Sequence, residues 1–263
     1  MNFKNKRVWI TGASSGIGEA LSYAFAEQGA NLILSARNET ELARVKANCD
    51  TTEVLVVKMD IGDHKSVFET IEKVLGTVGK VDILINNAGV SQRDLAINTH
   101  FKVDKQLIDV NYLGTVAVTK AMLPSMILHQ LGHIVTITSA TGKFGSPLRS
   151  SYAASKHALH GFFDSLRAEL INDNIKILLV CPGFIRTNIS MNALVADGRK
   201  QGVMDEATNN GIEPNVLADK ILRAIGSNKE ELHVGGFKEM LAIQVKRFFP
   251  RLFSKMIAKM KVT

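Results

Sequence analysis

Seven short runs rich in Val, Ile and Leu recur along the chain, with helix-like segments between them. The runs are "KRVWIT" 6–11, "NLILSA" 31–36, "EVLVVK" 53–58, "VDILIN" 81–86, "HIVTITS" 133–139, "IKILLVC" 175–181 and a short "ELHV" 231–234. None alternates cleanly between apolar and polar positions, which is the pattern of strands covered on both faces. Helical spacing falls at 16–28, 39–48, 64–78, 99–130, 151–171 and 214–227. This alternation predicts an α/β fold, a doubly wound parallel sheet with helices on both faces. Ligands in such sheets bind beyond the carboxyl ends of the strands. Chemistry is therefore expected just after each apolar run.

The 263 residues are 46% hydrophobic, enough for one sizeable core, and no Pro/Ser/Gly-rich linker divides them. Cys49 and Cys181 lie far apart, and the seven histidines show no metal-ligand spacing, so no metal is expected. Both thiols read as buried and reduced. No apolar stretch approaches the roughly 20 residues of a membrane span. The basic N-terminus is followed only by "VWI", too short for a signal peptide, and a cytoplasmic protein is expected. The formal charge of +7 is uneven: residues 238–263 carry +6, leaving +1 for residues 1–237. A nucleic-acid-binding body is excluded on that distribution.

After the first run comes "TGASSGIG", Thr11–Gly18. Glycines at 12, 16 and 18 allow a tight turn and let backbone N–H groups approach a pyrophosphate at a helix N-terminus. The second run ends in Ala36 and Arg37, where an acid would hold the free ribose hydroxyl of NAD. A guanidinium there fits a 2′-phosphate, which favours NADP(H) over NAD(H). The competing reading leaves Arg37 solvated and folds Glu39 back to the ribose. Asp60, after the third run, suits either an adenine edge or a helix-capping turn.

The fourth run ends in "NNAG", Asn86–Gly89, and the fifth in Ser139. Asn111 lies inside a helical pattern that asparagine does not favour. In "SYAASKHAL" the spacing puts Tyr152 and Lys156 on one helical face, about a turn apart. Alone, that pair is common by chance. An ammonium beside the phenol would lower its pKa from near 10 and make it a usable proton donor and acceptor.

The glycine turn, Asn86–Gly89, Asn111, Ser139, Tyr152-x-x-x-Lys156 and Pro182-Gly183 occur in that order. Together they resemble the short-chain dehydrogenase/reductase family over roughly residues 5–235. The resemblance implies a seven-stranded Rossmann-type sheet in the order 3-2-1-4-5-6-7. It implies that Tyr152 is the acid/base, Ser139 holds the carbonyl oxygen, and Lys156 bonds the nicotinamide ribose and lowers Tyr152. Asn111 would anchor a proton-relay water. The nucleotide would lie against Gly12, Ser14, Ser15, Gly16, Ile17 and Gly18, with Arg37, Asp60 and Ile61 at its adenosine end. Asn87, Ala88, Gly89, Tyr152, Lys156, Pro182, Gly183 and Thr187 would hold the rest. A homodimer or homotetramer through helices 99–130 and 151–171 is expected from the same resemblance.

The substrate is expected under residues 184–213, a mobile segment with Met191, Leu194, Val195, Val203 and Met204 among polar turns. A lipophilic ketone, aldehyde or secondary alcohol is the favoured substrate. A 3-oxoacyl thioester is the alternative within enzymes, and a non-catalytic NADP-binding regulator the alternative outside them. The softer likeness is to membrane-associated members acting on steroids and retinoids. Residues 1–237 form the expected domain and 238–263 an extension. Taken as a helix, 251–261 puts Leu252, Phe253, Met256, Ile257 and Met260 on one arc and basic residues on the other. That pattern fits a membrane surface through 238–261, packing on the body or a sister subunit, or another protein.

Overall fold

The computed structural model describes residues 2–49 and 53–259. Seven parallel strands form one sheet in the order β3-β2-β1-β4-β5-β6-β7. They are β1 Arg7–Thr11, β2 Asn31–Ala36, β3 Val54–Lys58, β4 Ile83–Asn86, β5 Gly132–Ile137, β6 Ile175–Pro182 and β7 Glu231–Val234. The expected class and order are found.

Alternation along each strand explains the unbroken apolar runs. Val8 and Ile10 of β1 face one layer and Trp9 the other; Leu32 and Leu34 oppose Ile33 in the same way. The first layer is closed by α1 (Gly16–Glu27), α2 (Glu39–Ala47) and α8 (Pro214–Gly226), through Leu21, Phe25, Leu42 and Ile221. The second is closed by α3 (His64–Val78), α5 (Thr115–Leu128) and α6 (Ser150–Glu169), through Ile71, Met122 and Phe163. Trp9 is fully buried, and its indole N–H donates to Ser35 Oγ at 2.9 Å, so no polar group is lost.

The helix expected over 99–130 is found over 101–128 and contains a π-helical turn. α4 spans Phe101–Ile108, a π-helical turn follows at Asp109–Gly114, and α5 resumes at Thr115. Buried Asn111 spends its side chain on the chain beyond β4. Gly114 lets the carbonyl of Ile61 approach; a Cβ there would lie 2.5 Å from that oxygen.

The C-terminal half holds two further features. Residues 184–213 hold a short helix, α7 (Glu206–Asn209), and are tied down by buried groups. The extension forms two helices, α9 (Phe237–Phe248) and α10 (Pro250–Ile257), that pack on the body. Pro250 starts α10, as its fixed φ and missing N–H favour. The expected single arc is split: Phe253 is buried and Ile257 half-buried, whereas Leu252 and Met256 face outward. Met260 and Lys261 lie outside the described residues. No helix among the described residues is long and apolar enough to cross a membrane.

Candidate active site

The sheet order reverses between β1 and β4, and the glycine turn and the Asn86–Gly89 turn meet there. Asn87 fastens them: its Nδ2 donates to the carbonyls of Thr11 (3.0 Å) and Gly12 (3.1 Å), and its N–H to Thr11 Oγ1 (3.0 Å). Ala88 N–H shares that hydroxyl at 3.1 Å. Gly12 and Gly16 have φ of +66° and +59°, which only glycine adopts readily. At Gly18 a Cβ would lie 2.3 Å from the Gly12 carbonyl oxygen.

Ser15 precedes α1 in an extended conformation and makes no side-chain cap. The first N–H groups of α1 therefore point at a glycine-walled cradle without a local acceptor, which is how a helix N-terminus receives a phosphate. Ser14 offers its carbonyl to Arg44 (3.4 Å), which is also bonded to Glu19 and Glu41. Thr187 folds over this cradle; its Cγ2 would be 3.0 Å from a Cβ on Gly16. The cradle fits a dinucleotide.

At the adenosine end, Arg37 is exposed just past β2, and Asn38 is committed to capping α2 through the Glu41 N–H (3.2 Å). Asp60 makes the turn bond: its Oδ1 accepts from Gly62 N–H at 2.9 Å. Ile61 beside it is buried.

At the catalytic end, Ser139 follows β5 and starts a 3₁₀ turn, Ala140–Gly142. Its Oγ accepts from Thr141 N–H (3.1 Å) and Thr141 Oγ1 (2.9 Å), and it is hydrogen-bonded to the Tyr152 phenol. Tyr152 enters on the first turn of α6. That helix has no cap of its own at Arg149; Gln92 Oε1 instead accepts from Ser151 N–H (2.9 Å) and Tyr152 N–H (3.3 Å). Gln92 is fully buried and was not singled out in the sequence, because only the fold brings it to α6.

Lys156 lies one turn on, its ammonium 5.9 Å from the Tyr152 ring and donating to the Ile137 carbonyl at 2.8 Å. Asn111 Oδ1 accepts from Val90 N–H (2.8 Å), and its Nδ2 donates to the Val90 carbonyl (2.9 Å) and Ser155 Oγ (3.0 Å). A Cβ on Gly89 would lie 3.0 Å from Asn111 Oδ1 and 3.6 Å from Lys156 Nζ, so this glycine keeps the lysine accessible over the Asn86–Gly89 turn. Gly183 packs against Gly235 and Glu239 at the end of β6.

The electrostatics differ from expectation. Burial pushes the Tyr152 phenol above its ordinary value; the Ser139 bond and the charges of Arg93 and Arg149 oppose this. Lys156 is not among the groups that lower it, and burial draws Lys156 itself down to about 8. In the protein alone, desolvation outweighs the ammonium, because both groups lie in the same dry interior.

A cavity of about 100 Å³ opens beside Ser139 and Tyr152. Phe144, Phe184, Ile185 and Ile189 give it an apolar wall, and Ala242 of α9 and Ile257 of α10 close it. None of Met191, Leu194, Val195, Val203 and Met204 lines it. Leu194 packs beneath Tyr152 with Val103 and Leu107, and Met191 and Val203 are exposed. Polar residues at the wall are joined: Asp205 binds Arg93 (2.6 Å) and Arg149 (3.5 Å), and all three side chains are buried. Sequence reading missed this cluster and the tail's place over the cavity, since each needs contacts across a hundred residues.

The short chain dehydrogenase family model matches residues 6–197. A dehydrogenase/reductase SDR family protein 7-like of Drosophila melanogaster is 42% identical, over 98% of this chain and 81% of that protein. Dehydrogenase/reductase SDR family member 7B of Bos taurus is 41% identical, over 97% and 81%. Among solved structures, an SDR from Burkholderia phymatum in complex with NAD has a TM-score of 0.85 at 24% identity, covering 96% of both chains; it bears on the fold alone. An alcohol dehydrogenase from Thermococcus sibiricus complexed with 5-hydroxy-NADP has a TM-score of 0.76 at 26% identity, covering 89% of this chain and 97% of that one. The family model spans most of the sheet together with Asn111, Ser139, Tyr152 and Lys156, and the chain belongs to the short-chain dehydrogenase/reductase family of oxidoreductases.

Proposed function

We propose that this chain is an NADP(H)-dependent oxidoreductase for a lipophilic ketone, aldehyde or secondary alcohol. The observation that carries this reading is the apolar cavity whose polar floor is Ser139 and Tyr152, bonded to each other. The cradle of Gly12, Gly16 and Gly18 would hold a dinucleotide whose nicotinamide would supply or accept the hydride. Ser139 holds the substrate oxygen, and Tyr152 gives it a proton in reduction or takes one in oxidation. Lys156, joined to β5 through Ile137, holds the ribose side of the site and keeps a positive charge near the phenol. Asn111 fixes the turn over which Lys156 reaches, and a water held at that turn would return the proton. Arg37, exposed and without an acid at the strand end, supports the 2′-phosphate and hence NADP(H).

The cavity is small for a bulky substrate, because sites for drug-sized ligands enclose roughly 300–1,000 Å³. Entry of such a substrate requires α9 and α10 to move outward. Their outer face carries Phe248, Phe249, Leu252 and Met256, all exposed, among Lys246, Arg247, Arg251 and Lys255. That combination supports contact with an anionic membrane surface on the cytoplasmic side. Substrate would then reach the cavity from the lipid. α5 exposes Ile127 and Leu128 near its C-terminal end, which supports a homo-oligomer.

The test is loss of NADPH or NADH absorbance against steroid-type and retinoid-type carbonyls, medium-chain ketones and a 3-oxoacyl thioester. Turnover of bulky lipophiles with NADPH supports the reading. Thioester-only turnover, or a preference for NADH, overturns the substrate or the nucleotide part of it. Tight NADPH binding with no turnover of any carbonyl favours a regulatory protein.

A further inference from the structure

Three side chains from three elements converge next to the catalytic turn. His160 comes from α6, Cys181 from β6 and Glu231 from β7, and their ligand-capable atoms lie within 4.8 Å of one another. Cys181 Sγ is 3.7 Å from His160 Nε2 and 3.3 Å from Glu231 Oε1; His160 Nδ1 is 3.9 Å from the same oxygen. In a tetrahedral site with metal–sulfur distances of about 2.3 Å and metal–nitrogen or –oxygen distances of about 2.0 Å, neighbouring ligand atoms are roughly 3.3–3.6 Å apart. An imidazole gives an ion only one nitrogen, so only one of the two His160 distances belongs to the ligand set; with one atom from each residue within 4.8 Å of the others, the three groups reach that spacing by drawing together by about 1 Å.

A second observation points the same way. His160 is 8% exposed, and its Nδ1 is buried with no hydrogen-bond partner. Folding leaves such an atom unpaired only at a cost. Glu231 is partly open to solvent, which gives an ion an entry path, and His233 Nε2 lies 3.1 Å from its Oε1, two residues along the same strand. His233 can complete the coordination or orient the carboxylate. Lys143 pairs with Glu231 from the 3₁₀ turn, so an entering cation must displace this ammonium from the carboxylate.

We propose that His160, Cys181 and Glu231 bind a divalent transition-metal cation of the zinc class. The mixed sulfur, nitrogen and oxygen donors suit Zn²⁺ and select against Mg²⁺ and Ca²⁺. On binding, the Cys181 S–H bond breaks, its proton leaves to solvent, and the sulfur pair forms the metal bond; no electron is transferred. The Lys143 ammonium gives up its place on the carboxylate. The ion ties together three pieces of the active site. Thr138 Oγ1 donates to Cys181 Sγ at 3.3 Å and adjoins Ser139. His160 lies one turn beyond Lys156, and Cys181 directly precedes Pro182-Gly183. Sequence spacing gave no hint of this cluster because each ligand lies on a different element.

The test is titration of chelator-treated protein with Co²⁺, read by thiolate-to-cobalt charge-transfer absorption. The expected result is one ion per chain, displaced by Zn²⁺ and not by Mg²⁺. Cys181→Ser should lose the band and Cys49→Ser should keep it. Glu231→Gln, a partly exposed change that leaves the core intact, should weaken binding at least tenfold. Circular dichroism and Tm of each variant establish that it is folded. Absence of the band in wild type, a band kept in Cys181→Ser, or an unchanged affinity in Glu231→Gln overturns the proposal.

Discussion

Lys156 donates from its ammonium to the carbonyl of Ile137 at 2.8 Å, which joins α6 to the end of β5 one turn from Tyr152. Burial draws this amine down to about 8 from an ordinary value of 10.5. The charged form exists below the pKa and is lost above it. Turnover that relies on the Lys156 charge should therefore fall as pH rises through about 8. Lys156→Arg, which stays charged, should move that fall upward. The same shift has a stability sign. Between about pH 8 and 10.5 the unfolded chain binds more protons, so this group's contribution makes the fold more stable as pH rises across that window. Urea unfolding of wild type and Lys156→Met at pH 7.5 and 9.5 checks it: the variant should lose that rise.

Gly18→Ala should abolish nucleotide binding while leaving a folded protein. Its Cβ would lie 2.3 Å from the Gly12 oxygen, and backbone cannot yield as a side chain can. Fluorescence titration with NADPH, beside circular dichroism, separates loss of the cradle from loss of the fold.

Arg93→Ala should cost about 3–5 kcal/mol, the range for breaking a buried ion pair from one side. It leaves Asp205, whose side chain is 2% exposed, with the longer ion pair to Arg149 and the hydrogen bond from Gln201 Nε2 (2.8 Å), and without its close guanidinium. Amide exchange in residues 190–208 should rise with it. The exposed pair Arg199–Asp197 is the control: Arg199→Ala should leave Tm unchanged.

Phe253→Ala should free the tail without unfolding the sheet. Phe253 is 4% exposed and packs at a tilt against Phe144 with ring centres 5.4 Å apart, in a small cluster apart from the two main layers. Limited proteolysis should then cut near Phe249, and KM for a bulky carbonyl should change. Replacing Lys246, Arg247, Arg251 and Lys255 by Gln should reduce sedimentation with vesicles rich in anionic lipid. Unchanged sedimentation would remove the membrane contact from the account.

These sites also show what a sequence makes legible. The strands were readable because a doubly covered sheet needs Val, Ile and Leu at consecutive positions. Which neighbour faces which layer, as with Trp9 against Val8 and Ile10, was not, because both faces are apolar. Tyr152, Ser139 and the glycines stood out because they end strands or open helices where a bland residue would suffice. Arg93 and Asp205 did not, since a partner 112 residues away leaves no local trace. α9 lacked a clean face because it buries only Ala242 and Ile243 fully and covers a cavity rather than a core. The π-helical turn at Asp109–Gly114 was hidden for a related reason: Asn111 bonds across to Val90, and that contact exists only in the fold.

The account rests on proton transfer at Tyr152. The most direct measurement is transfer of deuterium from both 4-deuterated epimers of NADPH to a bulky ketone, read in the alcohol by mass spectrometry. Wild type should yield deuterated alcohol from one epimer. Tyr152→Phe, which keeps the ring and removes the hydroxyl, should bind NADPH as before and slow the reaction by roughly 10²–10⁴-fold. Equal labelling by the variant at the wild-type rate would contradict the role given to Tyr152 and the function built on it.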